Sequence, residues 1–413
     1  MRVGILTPAL LWALAGCGGG ADGPRPTPSP PPSATATATA TASPSAVASA
    51  TATLPAASPS ATGTPSATVS PTPTVSPSAT PTATASPDLR LRALAARAGR
   101  WVGAAFVEGS QAAPFREVLA REFNSTTAPL YWQTTEGQRG VFDFRAADEA
   151  VAVADAAGLR LRGHPLVWGR LALPDWVRAI TQPDDLRAAM TAHIEALVGR
   201  YRGRIAQYDV VNEPLTFDGA PGRFGNGLED YVFSRVLGTG YVREALEIAH
   251  AADPDAALFI NELLVMRPGP KQDAFFALAR ELRESGAPLH GVGLQGHVTP
   301  PFAADYLPTR DEIAATVARF AALGLRVEIT ELDVSLTDPG AQLEQQAAIY
   351  GDVFAGCFRT PGCDGITTWG LTDRDTWIRN FFHVEAAPLL FDADYQPKPA
   401  YFAAREQLRQ LVE

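Results

Sequence analysis

The sequence predicts an α/β chain in which residues 88–413 form a closed (β/α)8 TIM barrel, preceded by a signal peptide and a disordered linker. Short apolar, β-rich runs alternate with longer Ala-rich stretches of helical pattern, which is typical of a parallel sheet covered by helices. Polar residues follow most of these runs, as expected at the carboxyl ends of barrel strands. A doubly wound open sheet is the structural alternative, although no GxGxxG turn follows the first run.

Residues 1–17 have the layout of a secretory signal, with one basic residue, an apolar run and then small residues. The apolar run is too short to span a bilayer comfortably. Its end, Leu14-Ala15-Gly16-Cys17, resembles a bacterial lipobox, in which cleavage precedes a lipidated Cys. We therefore predict a bacterial cell-surface lipoprotein that meets the membrane only through lipid on Cys17. An ordinary signal peptide with an incidental Cys is the alternative.

Residues 18–87 consist almost entirely of Pro, Thr, Ser, Ala and Gly, and no charged residue lies between Pro26 and Pro87. Such a segment buries too little apolar area to offset its ordering entropy, so we predict a disordered linker. Its frequent prolines favour extended conformations and the role of a spacer.

The remaining residues, 88–413, have the size of a single barrel and contain the acidic excess of a chain whose net charge is -10. They contain no basic patch of the kind that phosphate backbones require, which argues against nucleic acid as a partner. We expect a monomer that uses no cofactor. Cys/His spacing typical of a metal site is missing from the sequence, so no metal is predicted either.

Cys357 and Cys363 flank a Pro-Gly turn in the segment CFRTPGC. In an exported protein this spacing predicts a local disulfide across the loop. A buried, reduced pair is the alternative.

The predicted strands are separated by helical stretches such as 184–202 and 239–252. Their ranges are 101–107, 122–125, 159–168, 205–212, 257–261, 289–295, 325–330 and 365–369. From the third strand onward they end in polar or aromatic residues, namely His164 and Trp168, Asn212 and Glu213, Asn261 and Glu262, Gln295 and His297, Glu331 and Asp333, and Trp369. A barrel stabilised by packing alone would not need this many polar groups at one rim.

Glu213 and Glu331 are the candidate catalytic pair. Glu213 follows the fourth predicted strand and Glu331 the seventh, so the two face each other across the barrel mouth. Hydrolysis of a glycosidic bond needs one carboxyl group that protonates the leaving oxygen and one carboxylate that attacks the anomeric carbon or activates water. Either Glu alone is more often structural, so the prediction rests on both positions and their polar surroundings.

Five segments, in order, resemble family 10 of the glycoside hydrolases. They are RGHPLVWG at 162–169, YDVVNEP at 208–214, LQGHV at 294–298, EITELDV at 328–334 and WGLTDRDTW at 369–377. The resemblance runs from about residue 95 to the C-terminus. It implies a (β/α)8 barrel that hydrolyses the β-1,4-xylosidic bonds of xylan internally and retains the anomeric configuration.

The resemblance also implies roles for individual residues. Glu331 corresponds to the nucleophile and Glu213 to the acid/base, and Asn212 to the residue that binds the sugar 2-hydroxyl. His297 would touch the nucleophile with Asp333 behind it, since hydrogen bonds to a carboxylate favour its ionised form. The other substrate-binding residues that it implies are His164, Trp168, Gln295, Trp369 and Trp377.

The segment after strand two departs from the family pattern of a Glu-Asn pair and a Lys shortly before a Trp. Here 123–132 reads FNSTTAPLYW, which is shorter, and Tyr131 stands where the Lys is expected. Gly169 likewise replaces a His that the family often carries. We predict altered or weaker glycone binding, which would raise KM more than it lowers kcat. A β-glucan or mixed-linkage glycanase and a non-catalytic carbohydrate-binding lipoprotein are the alternative functions.

Overall fold

The computed structural model describes residues 88–107, 109–298 and 306–413. The predictions about the signal peptide, the lipidated Cys17 and the linker concern residues 1–87 and lie outside the described residues.

The described residues form one sheet of ten strands in which every strand pairing is parallel. The strands are β1 Trp101–Ala105, β2 Ser125–Pro129, β3 Arg160–His164, β4 Val167–Trp168, β5 Gln207–Asn212, β6 Ala257–Glu262, β7 Gly291–Leu294, β8 His297–Val298, β9 Arg326–Val334 and β10 Cys363–Thr368.

The sheet closes on itself because β10 pairs with both β1 and β9. The neighbours around the closed sheet are β1, β2, β3, β5, β6, β7, β9 and β10, while the two-residue strands β4 and β8 pair with β5 and β9 at the rim. The predicted (β/α)8 barrel is therefore confirmed, and the open-sheet alternative is wrong.

Helices follow the strands around the outside of the barrel. They are α1 Leu91–Arg97, α2 Ala113–Glu122, α3 Trp132–Thr135, α4 Arg145–Ala157, α5 Asp175–Arg178, α6 Pro183–Arg200, α7 Val232–Leu237, α8 Tyr241–Ala252, α9 Pro270–Glu284, α10 Arg310–Ala321, α11 Leu343–Phe358, α12 Trp377–Phe382 and α13 Pro399–Val412, with a 3-10 turn at Asp373–Asp375. Buried apolar side chains form one continuous core that extends from Leu91 to Leu408. None of the helices in the described ranges is long and apolar enough to cross a membrane.

The second strand was predicted at 122–125, and this is wrong because Glu122 ends α2 and the strand begins at Ser125. Its sequence, STTAP, contains no large apolar residue, so hydrophobicity does not reveal it. The small polar side chains are nevertheless buried, and Thr126 Oγ1 donates to the Ala104 carbonyl at 2.8 Å. Hydrogen bonding between neighbouring strands, rather than apolar alternation, stabilises this part of the barrel.

The third predicted strand, 159–168, is divided into β3 and β4 by Pro165. Proline lacks the N–H that a strand interior needs. Leu166 then donates its N–H to the Asp209 carbonyl at 3.0 Å, and pairing with β5 resumes. The break is local, and both halves keep their place beside β5.

Polar and charged side chains inside the barrel pair with one another. Near the amino ends of the strands, Glu328 accepts from Gln207 Nε2 at 3.1 Å and lies 3.4 Å from Arg160 Nη1. One layer higher, the buried Arg162 pairs with Asp209 and donates to the Thr330 carbonyl at 3.0 Å. Buried charges are tolerated when they are paired and hydrogen-bonded, and these pairs lie inside the barrel below the carboxyl ends of the strands.

A disulfide joins Cys357 near the end of α11 to Cys363 at the start of β10, with the two Cα atoms 5.3 Å apart. The C357A/C363A double variant should unfold with about 2 kcal/mol less free energy, because a short covalent loop restricts the unfolded chain. Urea unfolding with and without reductant checks this. Reductant should weaken the wild type and leave the double variant unchanged, and an equal response of both proteins would contradict the prediction.

Candidate active site

The two candidate carboxylates lie at the carboxyl rim of the barrel. Glu213 directly follows β5, as predicted. Glu331 lies inside β9 rather than after it, because the strand continues to Val334 by pairing with β8. The prediction that the strand stops before Glu331 is therefore wrong. Glu331 nevertheless lies at the carboxyl rim of the barrel, as expected.

The backbone at Glu213 has a φ of 50°, in the left-handed region that a non-glycine residue rarely adopts. Such a conformation costs about 1–3 kcal/mol and persists only where its surroundings fix it. Here the Glu213 N–H donates to the Asn261 carbonyl at 2.8 Å. The Leu215 N–H donates to Glu262 Oε2 at 3.0 Å. These two bonds tie the loop after β5 to the end of β6.

Glu262 is fully buried, and burial raises its pKa, although Lys271 opposes this effect. Lys271 Nζ lies 3.0 Å from Glu262 Oε1, and Lys271 is itself buried. Removal of one member of such a pair leaves an uncompensated charge in the interior. The pair therefore supports the loop that carries Glu213.

The Glu213 side chain is largely buried, and both of its oxygens have partners. Oε1 accepts from Gln295 Nε2 at 3.0 Å and lies 3.4 Å from Asn212 Nδ2. Oε2 lies 3.0 Å from Arg170 Nε. Gln295 and Asn212 were predicted to belong to this site, whereas sequence reasoning gave Arg170 no role.

Glu331 is buried among cations and donors. Its Oε1 accepts from Asn261 Nδ2 at 2.6 Å, and its Oε2 lies 3.1 Å from His297 Nε2. His164 Nδ1 is 3.8 Å from Oε1. Burial alone would raise the pKa of Glu331, but His164, His297 and Arg162 outweigh burial and lower it. The carboxylate is therefore held in its ionised form, as a nucleophile requires.

His297 lies between two carboxylates. Its Nδ1 is 2.9 Å from Asp333 Oδ2, and its Nε2 contacts Glu331. Burial alone would lower the pKa of His297, but Asp333 and Glu331 outweigh burial and raise it to about 10. Both ring nitrogens then donate hydrogen bonds. Trp377 Nε1 donates to the same Asp333 oxygen at 2.8 Å and fixes its position.

Asp333→Asn should lower the pKa of His297, because it removes the largest favourable charge on the imidazolium. NMR of the labelled imidazole checks this. Wild-type His297 should stay protonated at pH 8, where an ordinary His is neutral, and the variant should not. Asp394→Asn, at an exposed site, is the control. A neutral wild-type ring at pH 8 would contradict the assignment.

The same interaction links stability to pH. The folded-state pKa of about 10 lies above the ordinary value of 6.5. The stability that protonated His297 contributes is therefore complete below about pH 6.5 and is lost as pH rises toward 10. The difference in unfolding free energy between wild type and Asp333→Asn should accordingly shrink across that interval.

Asn261 joins the two halves of the site and was missed as a site residue. Its Nδ2 lies 2.8 Å from Asn212 Oδ1 as well as 2.6 Å from Glu331, and its Oδ1 accepts from Thr330 Oγ1 at 2.6 Å. A Cβ added to Gly293 would lie 2.1 Å from that Oδ1, so only glycine leaves the amide enough room. The available signal was its position at the end of a strand, directly before Glu262.

His164 and Trp168 both contact Tyr131 and form one wall with it, and His164 lies beside Glu331. His164 Nδ1 donates to Asp209 Oδ2 at 2.7 Å, which orients the ring. Tyr131, at the position where a Lys was expected, packs against both, with ring centroids 5.8 Å from His164 and 6.1 Å from Trp168. Burial raises the pKa of Tyr131, and the negative charge of Glu331 adds to this effect. An uncharged aromatic group therefore replaces a cation at this wall.

Trp369 and Trp377 lie beside the two histidines that contact Glu331. The Trp369 ring meets His164 edge-on at 5.0 Å, and the Trp377 ring lies 5.1 Å from His297. Both indoles are half-buried. Flat apolar rings beside polar groups suit the apolar face of a pyranose ring.

Contacts through the side-chain amides of Asn212, Gln295 and Asn261 therefore connect the carboxylates of Glu213 and Glu331. One carboxylate is ionised between histidines, and the other lies between an amide and a guanidinium. Within residues 88–107, 109–298 and 306–413, no cluster of His, Cys, Asp and Glu has the arrangement of a metal site. The arrangement can perform acid/base and nucleophilic chemistry with its own side chains.

Comparison with known proteins gives a consistent result. The model of Glycosyl hydrolase family 10 matches residues 90–407. Endo-1,4-beta-xylanase A of Humicola insolens is 36% identical over 292 residues, which cover 70% of this chain and 74% of that protein. Endo-1,4-beta-xylanase B of Thermotoga neapolitana is 32% identical over 339 residues, which cover 79% of this chain and 94% of that protein.

A solved structure agrees with these relatives. Xylanase 10B from Thermotoga petrophila, in complex with xylobiose, superimposes with a TM-score of 0.72 at 30% identity. The superposition covers 79% of this chain and 99% of that one.

Proposed function

The chain belongs to glycosyl hydrolase family 10, and from this membership we propose that it is an endo-1,4-β-xylanase that retains the configuration of the anomeric carbon. Glu331 acts as the nucleophile and Glu213 as the acid/base. The observation that carries the proposal is the link between the two carboxylates: Asn261 contacts Glu331 and Asn212, and Asn212 and Gln295 contact Glu213.

In the first step, Glu331 attacks the anomeric carbon of a xylose unit while Glu213 gives its proton to the glycosidic oxygen. The carbon–oxygen bond to the leaving chain breaks, and a xylosyl ester forms on Glu331. His297, held protonated by Asp333, keeps Glu331 ionised before the attack. Asn212 is suitably placed to bind the sugar 2-hydroxyl, a contact that strengthens in the transition state.

In the second step, Glu213 accepts a proton from water, and the water oxygen attacks the anomeric carbon. The ester to Glu331 breaks, and the product keeps the β configuration. Gln295 holds Glu213 Oε1 at 3.0 Å, so the same carboxyl group is oriented for both proton transfers.

Family membership favours xylan as the substrate. A β-glucan or mixed-linkage activity remains the second candidate because Tyr131, in contact with His164 and Trp168, stands where the family pattern has a Lys. Assay of the full chain on xylan, mixed-linkage β-glucan and cellulose separates the two. We expect internal cleavage of xylan, with the β anomer appearing first by NMR. Preferential cleavage of a glucan would favour the second candidate, and sugar binding without any cleavage would identify a non-catalytic binding protein.

We also propose that the enzyme is a monomer held at the bacterial cell surface by lipid on Cys17. The lipobox-like Leu14-Ala15-Gly16-Cys17 and the Pro- and Ser/Thr-rich segment after it support this arrangement. Cys17→Ala should release the protein to the medium or leave the precursor uncleaved. Unchanged membrane attachment of the variant would refute the anchor, and light scattering of the detergent-free variant tests the monomer.

A further inference from the structure

Arg170 is the one cation that directly contacts the proposed acid/base in the described residues. Its Nε lies 3.0 Å from Glu213 Oε2, and its side chain is 17% exposed. The Nε–H does not point at the carboxylate and makes no hydrogen bond to any part of the chain that the structure describes. The contact with Glu213 is therefore one between charges rather than a hydrogen bond.

The chain holds Arg170 in this position from two sides. Its Nη2 donates to the Leu215 carbonyl at 3.3 Å, on the same loop that carries Glu213. Its guanidinium carbon lies 5.6 Å from the centroid of the Tyr231 ring, a cation–π distance. Arg170 is thus fixed relative to Glu213 rather than extended into solvent.

Gly169 makes room for that ring. A Cβ added to Gly169 would lie 2.8 Å from Tyr231 Cβ and 2.9 Å from Tyr231 Cγ, so any larger residue would displace the tyrosine. Gly169 therefore leaves space for the Tyr231 ring, and this ring packs against the guanidinium of Arg170.

Several other ionisable or polar groups face Glu213 from neighbouring elements. The buried Glu262, paired with Lys271, acts on Glu213 from β6, and Tyr131 acts on it from the loop before α3. Tyr231 and Glu229 lie close to Arg170 and interact with its charge. Asn212 and Gln295 are the neutral partners. Among these groups Glu262 repels the Glu213 anion, and Arg170 is the cation in contact with it.

We propose that Arg170 is a positioning residue that acts through Glu213, stabilising the Glu213 anion that forms when the proton passes to the glycosidic oxygen. This inference rests on the acid/base role of Glu213 proposed above. A nearby positive charge favours the charged form of a carboxyl group. Arg170 therefore favours the end of the first step, in which Glu213 has lost its proton, and the start of the second step, in which the carboxylate accepts one from water.

Arg170→Gln tests this proposal. Without the positive charge beside Glu213, the alkaline limb of kcat/KM on xylan should move upward by roughly 0.5–1 pH unit. The acid limb of the pH profile for deglycosylation should also move to higher pH, because the second step needs the ionised carboxylate of Glu213. At pH 5, kcat on 2,4-dinitrophenyl β-xylobioside, whose good leaving group makes deglycosylation limiting, should fall about threefold to tenfold.

Arg170→Lys keeps the charge and should keep both limbs of the pH profile close to those of wild type. Arg223→Gln, at an exposed arginine of the loop that carries Glu213, is the matched control. Limbs of Arg170→Gln that coincide with those of wild type would overturn the proposal. A loss of rate that is equal at every pH would also overturn it, since that result indicates a purely structural role. Arg170→Met repeats the measurement with a second neutral side chain if the Gln variant unfolds. Inactive wild-type enzyme would refute the proposed function itself, so the two failures are distinguishable.

Discussion

Glu331→Gln should reduce turnover of xylan by at least about 10⁴-fold, because an amide cannot form the glycosyl ester on which both steps depend. Gln has nearly the same shape as Glu, so binding of the polysaccharide should persist. The rate should be measured from reducing ends released, and binding from retention on insoluble xylan. Glu344→Gln, at an exposed position on α11, is the matched control and should remain fully active.

The surroundings of Glu331 add a second, independent readout. The Glu331 carboxylate contributes to the raised pKa of His297, so its replacement by Gln should lower that pKa. Asp333 is the larger contributor and remains in place, so the reduction should be smaller than in Asp333→Asn. A His297 signal that titrates as in wild type would indicate that the two side chains do not interact in solution.

Chemical rescue then identifies the role of Glu331. In Glu331→Ala, azide can enter the space left by the carboxylate and attack an activated aryl β-xylobioside from the nucleophile's side. The product should be the α-glycosyl azide, with inverted configuration. Near wild-type turnover of the Gln variant, or a β-azide from the Ala variant, would show that Glu331 is not the nucleophile.

The sequence allowed prediction of those site residues whose role follows from their position along one strand. Alternation of apolar runs and helices predicts the barrel, and the rule that polar groups gather at strand ends then selects Glu213, Gln295 and Glu331. The pattern of apolar runs fails for β2, whose residues STTAP are buried although none is strongly apolar. Burial inside a barrel depends on which strands enclose a residue, and a local pattern does not contain that information.

The remaining contacts depend on residues that are distant in sequence. Asn261 meets Glu331 across a separation of 70 residues, and the closeness of these side chains follows from the closure of the barrel. Arg170 contacts Glu213, and its guanidinium packs against Tyr231, a ring that fills the space beside Gly169. The sequence displays Gly169 and Tyr131 as departures from a family pattern, whereas the structure shows which neighbours compensate for each. A departure from the family pattern therefore indicates where in the sequence a new side-chain contact arises. It does not indicate which distant residue makes that contact.

Glu213→Ala should lower kcat/KM on xylan by about 10²–10⁴-fold, the usual contribution of general acid catalysis. The loss arises because the alkoxide of a sugar is a poor leaving group without a proton. On 2,4-dinitrophenyl β-xylobioside, whose leaving group needs no proton, kcat/KM should stay within about tenfold of wild type. Glu247→Ala, at an exposed site on α8, is the matched control.

The second step of the same variant gives the complementary test. With the base absent, the xylosyl ester on Glu331 should accumulate, visible as a burst of dinitrophenolate and as added mass on the enzyme. Azide needs no base, so it should restore turnover and give the β-glycosyl azide, opposite in configuration to the product expected from Glu331→Ala. Glu213 is strained at φ 50°, and Glu213→Gly removes both the carboxyl group and the strain. The Gly variant should therefore be at least as stable as the Ala variant and show the same kinetic pattern. An equal loss on xylan and on the activated substrate would mean that Glu213 orients the sugar rather than transferring the proton.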